Sequence, residues 1–98
     1  SVCVAKISPF TEMRTVAKRI MKDYQFFEVY VECSLKKCEE RDVKGMYKMA
    51  KNGELDNFCG VNEIYEIPTE PDLILNTEKF SVEENIQTIL NFLKNKKI

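Results

Sequence analysis

Between Lys36 and Lys51 the chain carries six basic residues (Lys36, Lys37, Arg41, Lys44, Lys48, Lys51) against three acids (Glu39, Glu40, Asp42). This basic excess stands on a chain of 98 residues whose formal net charge is −1. Lys44, Lys48 and Lys51 recur at steps of four and three, so a helix here presents them on one side. Gly45 and Gly53 bracket that helix, and Gly60 closes the segment near an aromatic ring, Phe58. Clustered cations bind phosphate and spread charge in phosphoryl transfer, and aromatic rings stack on nucleobases. Glycines at both ends would let such a segment hinge as a flap. The pattern fits a lid over an anionic ligand. It also fits a solvated amphipathic helix whose lysines do nothing specific, which from composition alone is the simpler reading.

Other chemistries are excluded or disfavoured by what the chain lacks. With no His, neither a Ser-His-Asp nor a Cys-His site can be assembled from it. Cys3, Cys33, Cys38 and Cys59 show no C-x-x-C spacing, which argues against a zinc site and reads as buried or incidental thiols of a reducing cytoplasm. The near-zero net charge advertises neither nucleic acid nor an anionic membrane as partner. No apolar run approaches the ~20 residues of a membrane span. The opening "SVCVAKISPF" has no basic leader or small-residue cleavage site, and no initiator Met, as expected of a chain that begins partway through a domain. With 44% hydrophobic and 32% charged residues, the composition is that of one small globular domain.

The elements that must position these residues follow from periodicity. Residues 2 to 7, "VCVAKI", read as a short buried strand stopped by Pro9. From Thr11, a plausible N-cap, the positions Met13, Val16, Ala17, Ile20, Met21 and Tyr24 form one helical face. "FFEVYVE", from Phe26 to Glu32, is rich in aromatic and β-branched residues and reads as a strand. Ser34 caps a short helix through Leu35, Cys38 and Arg41. Beyond Pro68 and Pro71, Leu73 to Leu75 form another short strand. Ser81 and Glu84 make a capping box, launching a helix whose apolar face is Val82, Ile86, Ile89, Leu90 and Leu93. Lys94, Lys96 and Lys97 suit its C-terminal end. This alternation builds a parallel sheet covered by helices, with ligands bound beyond the carboxyl ends of the strands. Two places match that rule, the Ile7-Ser8-Pro9 turn and the segment after Arg41.

The wording of the middle of the chain is more specific than its composition. "CEERDVKGMYK", followed by "YEIPTEPDLILNT", closely resembles the C-terminal half of the adenylylsulfate kinase (APS kinase) family, which reads C-E-x-R-D-x-K-G-L-Y-K and Y-E-x-P-x-x-P-[ED]-L-x-L-x-T. The likeness runs from Ile7-Ser8-Pro9 to the terminal helix. It implies an α/β fold of the P-loop kinase type, a parallel sheet with flanking helices, of which this chain is the C-terminal portion of a single domain with a lid at about residues 41 to 62. It implies transfer of the ATP γ-phosphate to the 3′-hydroxyl of adenosine 5′-phosphosulfate (APS), with Mg²⁺ whose ligands lie mostly outside this chain. Ile7 and Ser8 match the turn that contacts APS. Ser8 falls on the family's phosphoserine position, but no base neighbours it in sequence, so a binding role is expected over a covalent one. Arg14 matches a basic position of the S-P-[FY]-x-x-[DE]-R motif, Lys44 the lid lysine on APS, and Phe58 the ring that sandwiches its adenine, with Asn57 beside it. Arg41, Asp42 and Lys48 fall on the nucleotide side of the lid.

The chain also departs from that pattern. Met13 replaces the acid before Arg14, "ECSL" replaces D-x-P-L, Met49-Ala50-Lys51 replaces K-A-R, and Asp56 and Cys59 stand where a lysine and a threonine are common. No G-x-x-x-x-G-K-[ST] occurs anywhere in the chain, and phosphoryl transfer in this fold depends on that loop. In the family the P-loop strand lies between the strands matching residues 2–7 and 27–31, so these two are expected to show unpaired apolar edges here. The expected partners are APS, ATP and either the missing P-loop half or a homodimer partner, in the cytoplasm. The alternatives are a non-catalytic kinase remnant and a relative acting on another nucleotide-linked acceptor.

Overall fold

The computed structural model describes residues 2–42, 44–55 and 64–96. Their elements run α1 (Thr11–Ile20), β1 (Val29–Glu32), α2 (Leu35–Arg41), α3 (Met46–Lys51), β2 (Leu73–Asn76) and α4 (Val82–Asn95). β1 and β2 pair in parallel, with Val29 opposite Leu73 and Glu32 opposite Asn76. Parallel pairing needs a long crossover, and the forty residues between the strands supply it.

The expected strand over residues 2–7 does not form. Residues 2–10 carry no regular secondary structure, and Val2 is 91% exposed. A strand exists only against a ladder partner, and among the described residues none lies beside this one. The second strand is likewise shorter than its apolar run. Phe26 to Glu28 lie outside the ladder, though Asp72 and Leu73 both donate backbone hydrogen bonds to the Glu28 carbonyl, at 2.8 and 3.2 Å.

The helices differ from expectation mainly at their ends. α1 stops at Ile20 rather than Tyr24, because the chain turns there with the Tyr24 amide donating to Met21 O at 2.9 Å. Thr11 is the first helical residue rather than the cap, and Phe10 at the cap position offers no side chain to the helix. Instead Glu66, from a distant segment, accepts from the Thr11 amide through Oε1 at 2.8 Å. Ser34 caps α2 as expected, accepting from the Lys37 amide at 3.2 Å. The capping box of α4 also forms, with Ser81 Oγ accepting from the Glu84 amide at 3.2 Å and Glu84 Oε1 accepting from the Ser81 amide at 3.0 Å.

The core is thin. Among the described residues the buried apolar side chains are Ala50 on α3 and Leu75 on β2. α4 packs on β2 through buried Asn85, whose Nδ2 donates to the carbonyls of Asn76 and Phe80 at 3.3 and 3.4 Å. Phe92 meets Phe27 edge to face with ring centroids 5.2 Å apart. The apolar face expected of α4 therefore divides. Ile89 and Leu93 are half-buried, but Val82 is 70% exposed, and Ile86 and Leu90 are also exposed. A two-stranded sheet is too narrow to cover a full amphipathic face.

Candidate functional site

The predicted site residues fall in two groups. The first surrounds the Ile7-Ser8-Pro9 turn. Ser8 holds φ at 44°, in the left-handed region that a non-glycine residue rarely adopts, and it precedes a proline, which favours extended backbone. Strain of this kind persists only where the surroundings enforce it. Arg14 supplies the enforcement. Its guanidinium donates to Ser8 O at 2.6 Å, to Glu66 O at 2.5 Å and to Thr11 Oγ1 at 3.2 Å. It also faces Glu28 at 3.9 Å and lies 5.6 Å from the Tyr65 ring centre. The Glu66 amide donates to Pro9 O at 2.7 Å, closing the turn from the other side.

Arg14 is thus committed to its own chain, clamping the Ser8 turn to the 64–68 segment. Sequence reasoning placed Arg14 in the site but missed Glu28, Tyr65 and Glu66 as its partners. The available signal was Glu28 itself, a lone acid inside the apolar run "FFEVYV", which needs a cation once its side chain is only 12% exposed. Lys18 shares that carboxylate at 3.4 Å. Alongside α1 runs an open groove of ≈ 190 Å³, bordered by Arg14, Lys18, Glu28 and Glu70. The Ser8 hydroxyl makes no hydrogen bond among the described residues, so no base is placed to activate it.

The second group sits beyond the carboxyl ends of β1 and β2. Arg41 Nη2 donates to Thr77 O at 2.9 Å, and Nη1 lies 3.9 Å from Cys33 Sγ. Thr77 in turn donates to Glu32 O through both its amide and its hydroxyl, at 2.9 Å each. Asp42 gives both carboxylate oxygens to α3, accepting from the amides of Tyr47 and Lys48 at 3.0 and 3.2 Å. It satisfies helix-start donors and complements the positive end of the dipole. Burial first, then a hydrogen bond to Cys38, pushes Tyr47 up to about 12.

The basic helical face forms only in part. α3 begins at Met46 behind Gly45, whose φ of 66° breaks the helix, so Lys44 lies in the preceding turn. Lys51 is drawn to Glu39 of α2 at 2.9 Å, while Lys44 and Lys48 are exposed with no ion pair among the described residues. Gly53 ends the segment at φ 78°. At neither glycine would a Cβ meet an atom within 4 Å, so backbone conformation and not crowding calls for glycine. Asn57, Phe58, Asp56 and Cys59 lie outside the described residues. Among the described residues no hydrogen bond or ion pair joins the Ser8 group to the Arg41 group. No cluster of three or more Cys, Asp or Glu side chains converges there to hold a metal, and Asp42 is spent on amides. No described helix is long and apolar enough to cross a membrane.

Both groups sit where the two sequence motifs of the resemblance fall, and comparison with known proteins bears on the match. The profile of the adenylylsulphate kinase family matches residues 1–76. The chain belongs to the adenylylsulphate kinase family. The adenylyl-sulfate kinase of Staphylococcus haemolyticus is 48% identical over 94 residues, which are 96% of this chain and 47% of that protein. That of Oceanobacillus iheyensis is 46% identical over 92 residues, 94% of this chain and 46% of that one. The structure of the Mycobacterium tuberculosis APS kinase in complex with AMPPNP and APS superposes with a TM-score of 0.86 at 37% identity, covering 91% of this chain and 52% of that one. The chain is thus of P-loop kinase fold and spans about half the length of the curated relatives it matches.

Proposed function

We propose that this chain supplies the acceptor-binding and lid half of an adenylylsulfate kinase, which transfers the γ-phosphate of ATP to the 3′-hydroxyl of APS. The observation that carries the reading is the superposition of nine-tenths of the chain on one half of a kinase solved with APS and a nucleotide analogue. Catalysis then needs the P-loop half, which brings ATP and its Mg²⁺. Residues 41 to 62 act as the lid. Lys44, exposed ahead of α3, holds the anionic end of APS, and Phe58 with Asn57 receives the adenine. Arg41, fixed by Thr77, offers charge on the nucleotide side together with Lys48. Ile7 and Ser8 contact APS through a turn that Arg14 keeps in one conformation. Ser8 positions the acceptor and does not itself accept phosphate, since no base neighbours its hydroxyl. The working place is the cytoplasm, where ATP is supplied.

The test joins this chain to the N-terminal half of the Staphylococcus haemolyticus relative and measures ATP-dependent formation of 3′-phosphoadenosine 5′-phosphosulfate. Activity is expected from the joined protein and none from the chain alone. Lys44→Ala should raise KM for APS roughly 10- to 100-fold, the worth of one charge-assisted hydrogen bond. Activity that ignores Lys44→Ala would remove that lysine from the site. Asp56, an acid at a position where the family commonly has lysine, favours a second reading in which the acceptor carries less charge than APS. Competing APS against other 5′-substituted adenosines in the same assay separates the two.

A further inference from the structure

The guanidinium of Arg41 does not extend off the end of α2. Side chains of a helix lean toward its N-terminus, and this one runs back to the residue before the cap, with Nη1 3.9 Å from Cys33 Sγ. There Nη2 donates to Thr77 O at 2.9 Å. A second cross-link lies beside the first. Ser34, next to Cys33, donates its hydroxyl to Oε1 of Glu78, next to Thr77. The same hydroxyl accepts from the Lys37 amide at 3.2 Å as the cap of α2. A carboxylate thus sits one residue from the carbonyl that holds Arg41, yet among the described residues Glu78 forms no ion pair. The backbone around it is fixed. The Glu78 and Lys79 amides donate to Asn76 Oδ1 at 3.0 and 2.9 Å, Thr77 holds Glu32 O twice, and Asn85 holds the Asn76 carbonyl. What is left to turn is the exposed Glu78 side chain itself.

We propose that Ser34 is a positioning residue for the nucleotide side: by holding Glu78 it keeps that carboxylate off Arg41, so the guanidinium charge stays open to a phosphate-bearing nucleotide. The inference rests on the placement of Arg41 on the nucleotide side proposed above. A guanidinium carries five N–H donors, and Cys33 and Thr77 engage one each, so a forked grip on phosphate oxygens is still available. Paired with Glu78, the same donors would be turned onto the chain itself, and the pair would present no net charge to ATP. Ser34 is one of this chain's departures from the D-x-P-L pattern, standing where that pattern has proline, which has no hydroxyl to hold a carboxylate.

The test substitutes Ser34→Gly, which removes the hydroxyl while glycine still serves at a helix cap at little cost. In the full chain, the Arg41 guanidinium protons, followed by NMR, should exchange with water several-fold more slowly as Glu78 turns onto them. Adding Glu78→Gln should return them to the original rate, although the capping hydroxyl is still missing. In the joined protein described above, Ser34→Gly should raise KM for ATP about two- to fivefold, the range that an exposed ion pair commands, with KM for APS unchanged. Glu78→Gln in that background should restore KM for ATP, and Ser34→Thr, which keeps the hydroxyl, should not raise it. Equal guanidinium exchange, or equal KM for ATP, in the single and double variants would overturn the proposal, because Ser34 would then act only as a cap. A rise in KM for APS as large as that for ATP would overturn the placement on the nucleotide side. If the joined protein makes no product with Ser34 in place, the kinase reading falls, and guanidinium exchange in the full chain still decides whether Ser34 holds Glu78.

Discussion

The Arg14 clamp makes a prediction that can be worked from distances. Arg14→Met keeps the aliphatic stem and removes the donors to Ser8 O, Glu66 O and Thr11 Oγ1, spaced at 2.6, 2.5 and 3.2 Å. Hydrogen bonds from a charged donor contribute about 1.5–3 kcal/mol each, and the loss here is shared among bonds that replace water only partly. The Arg14 side chain is 10% exposed and Glu28 12%, so screening is modest, but Lys18 at 3.4 Å still compensates Glu28. A net local loss of roughly 2–4 kcal/mol is expected. At 1.4 kcal/mol per decade this is a rise of about 30- to 700-fold in opening of the turn.

Amide hydrogen exchange at Glu66 and Thr11 reads that opening directly, because their amides bond Pro9 O and Glu66 Oε1. The Thr77 amide, bonded to Glu32 O at the far end of β1, serves as the control and should change little. Ser8, released, should relax from φ 44° to extended backbone, visible in its amide–Hα coupling. Arg14→Lys should fall between, since an ammonium retains the charge opposite Glu28 but cannot fork to several carbonyls. Protection at Glu66 and Thr11 within about threefold of wild type in Arg14→Met would refute the clamp, as would an equal loss at Thr77.

Two further outcomes follow from the helix ends. Asp42→Ala strips the acceptors from the Tyr47 and Lys48 amides and should destabilise α3 by about 1 kcal/mol, seen as lost amide protection over Met46–Lys51 with α4 unaffected. Glu84 is held below the usual glutamate range by hydrogen bonds from the Ser81 backbone and side chain. A lowered folded pKa means its contribution is full above the unfolded value and lost as pH falls through the folded one. Acid titration below the usual glutamate pKa should therefore fray the first turn of α4, and Glu84→Gln should flatten that pH dependence in the Glu84 and Asn85 amide shifts.

How much of this was legible depends on whether the information was local. Ser34, Ser81 and Glu84 announced their helix starts because a cap is satisfied within four residues of itself. The parallel arrangement of β1 and β2 followed from alternation of elements. What local pattern could not give was partnership across the chain. Glu66 caps α1 from 55 residues away, which is why Thr11 lost the role its own sequence assigned it. Lys44 left the predicted basic face because Gly45 takes φ 66°, a choice that glycine permits but does not dictate. Arg14 was found by resemblance, while its task as a clamp needed coordinates.

The mismatches in the fold share one physical origin. Residues 2–7 have the composition of a buried strand and lie 66% exposed or more at Val2, Val4 and Ile7. The outward face of α4 has the composition of a helix packed on a wide sheet and lies open. Val31 and Ile74, in the paired strands, are more than half exposed as well. Apolar area of this extent contributes about 25 cal/mol per Å² only when covered, and uncovered it favours association. Sequence and structure disagree at each of these places in the same direction, toward a sheet with more strands than two. A chain spanning about half of its relatives' length accounts for all of them together. The polar contacts that shape the Ser8 turn and the Arg41 corner need no such completion, since both are closed within the described residues. The Ser8 turn and the Arg41 corner are thus built on this chain's own hydrogen bonds, whereas the apolar faces of its strands lie open among the described residues.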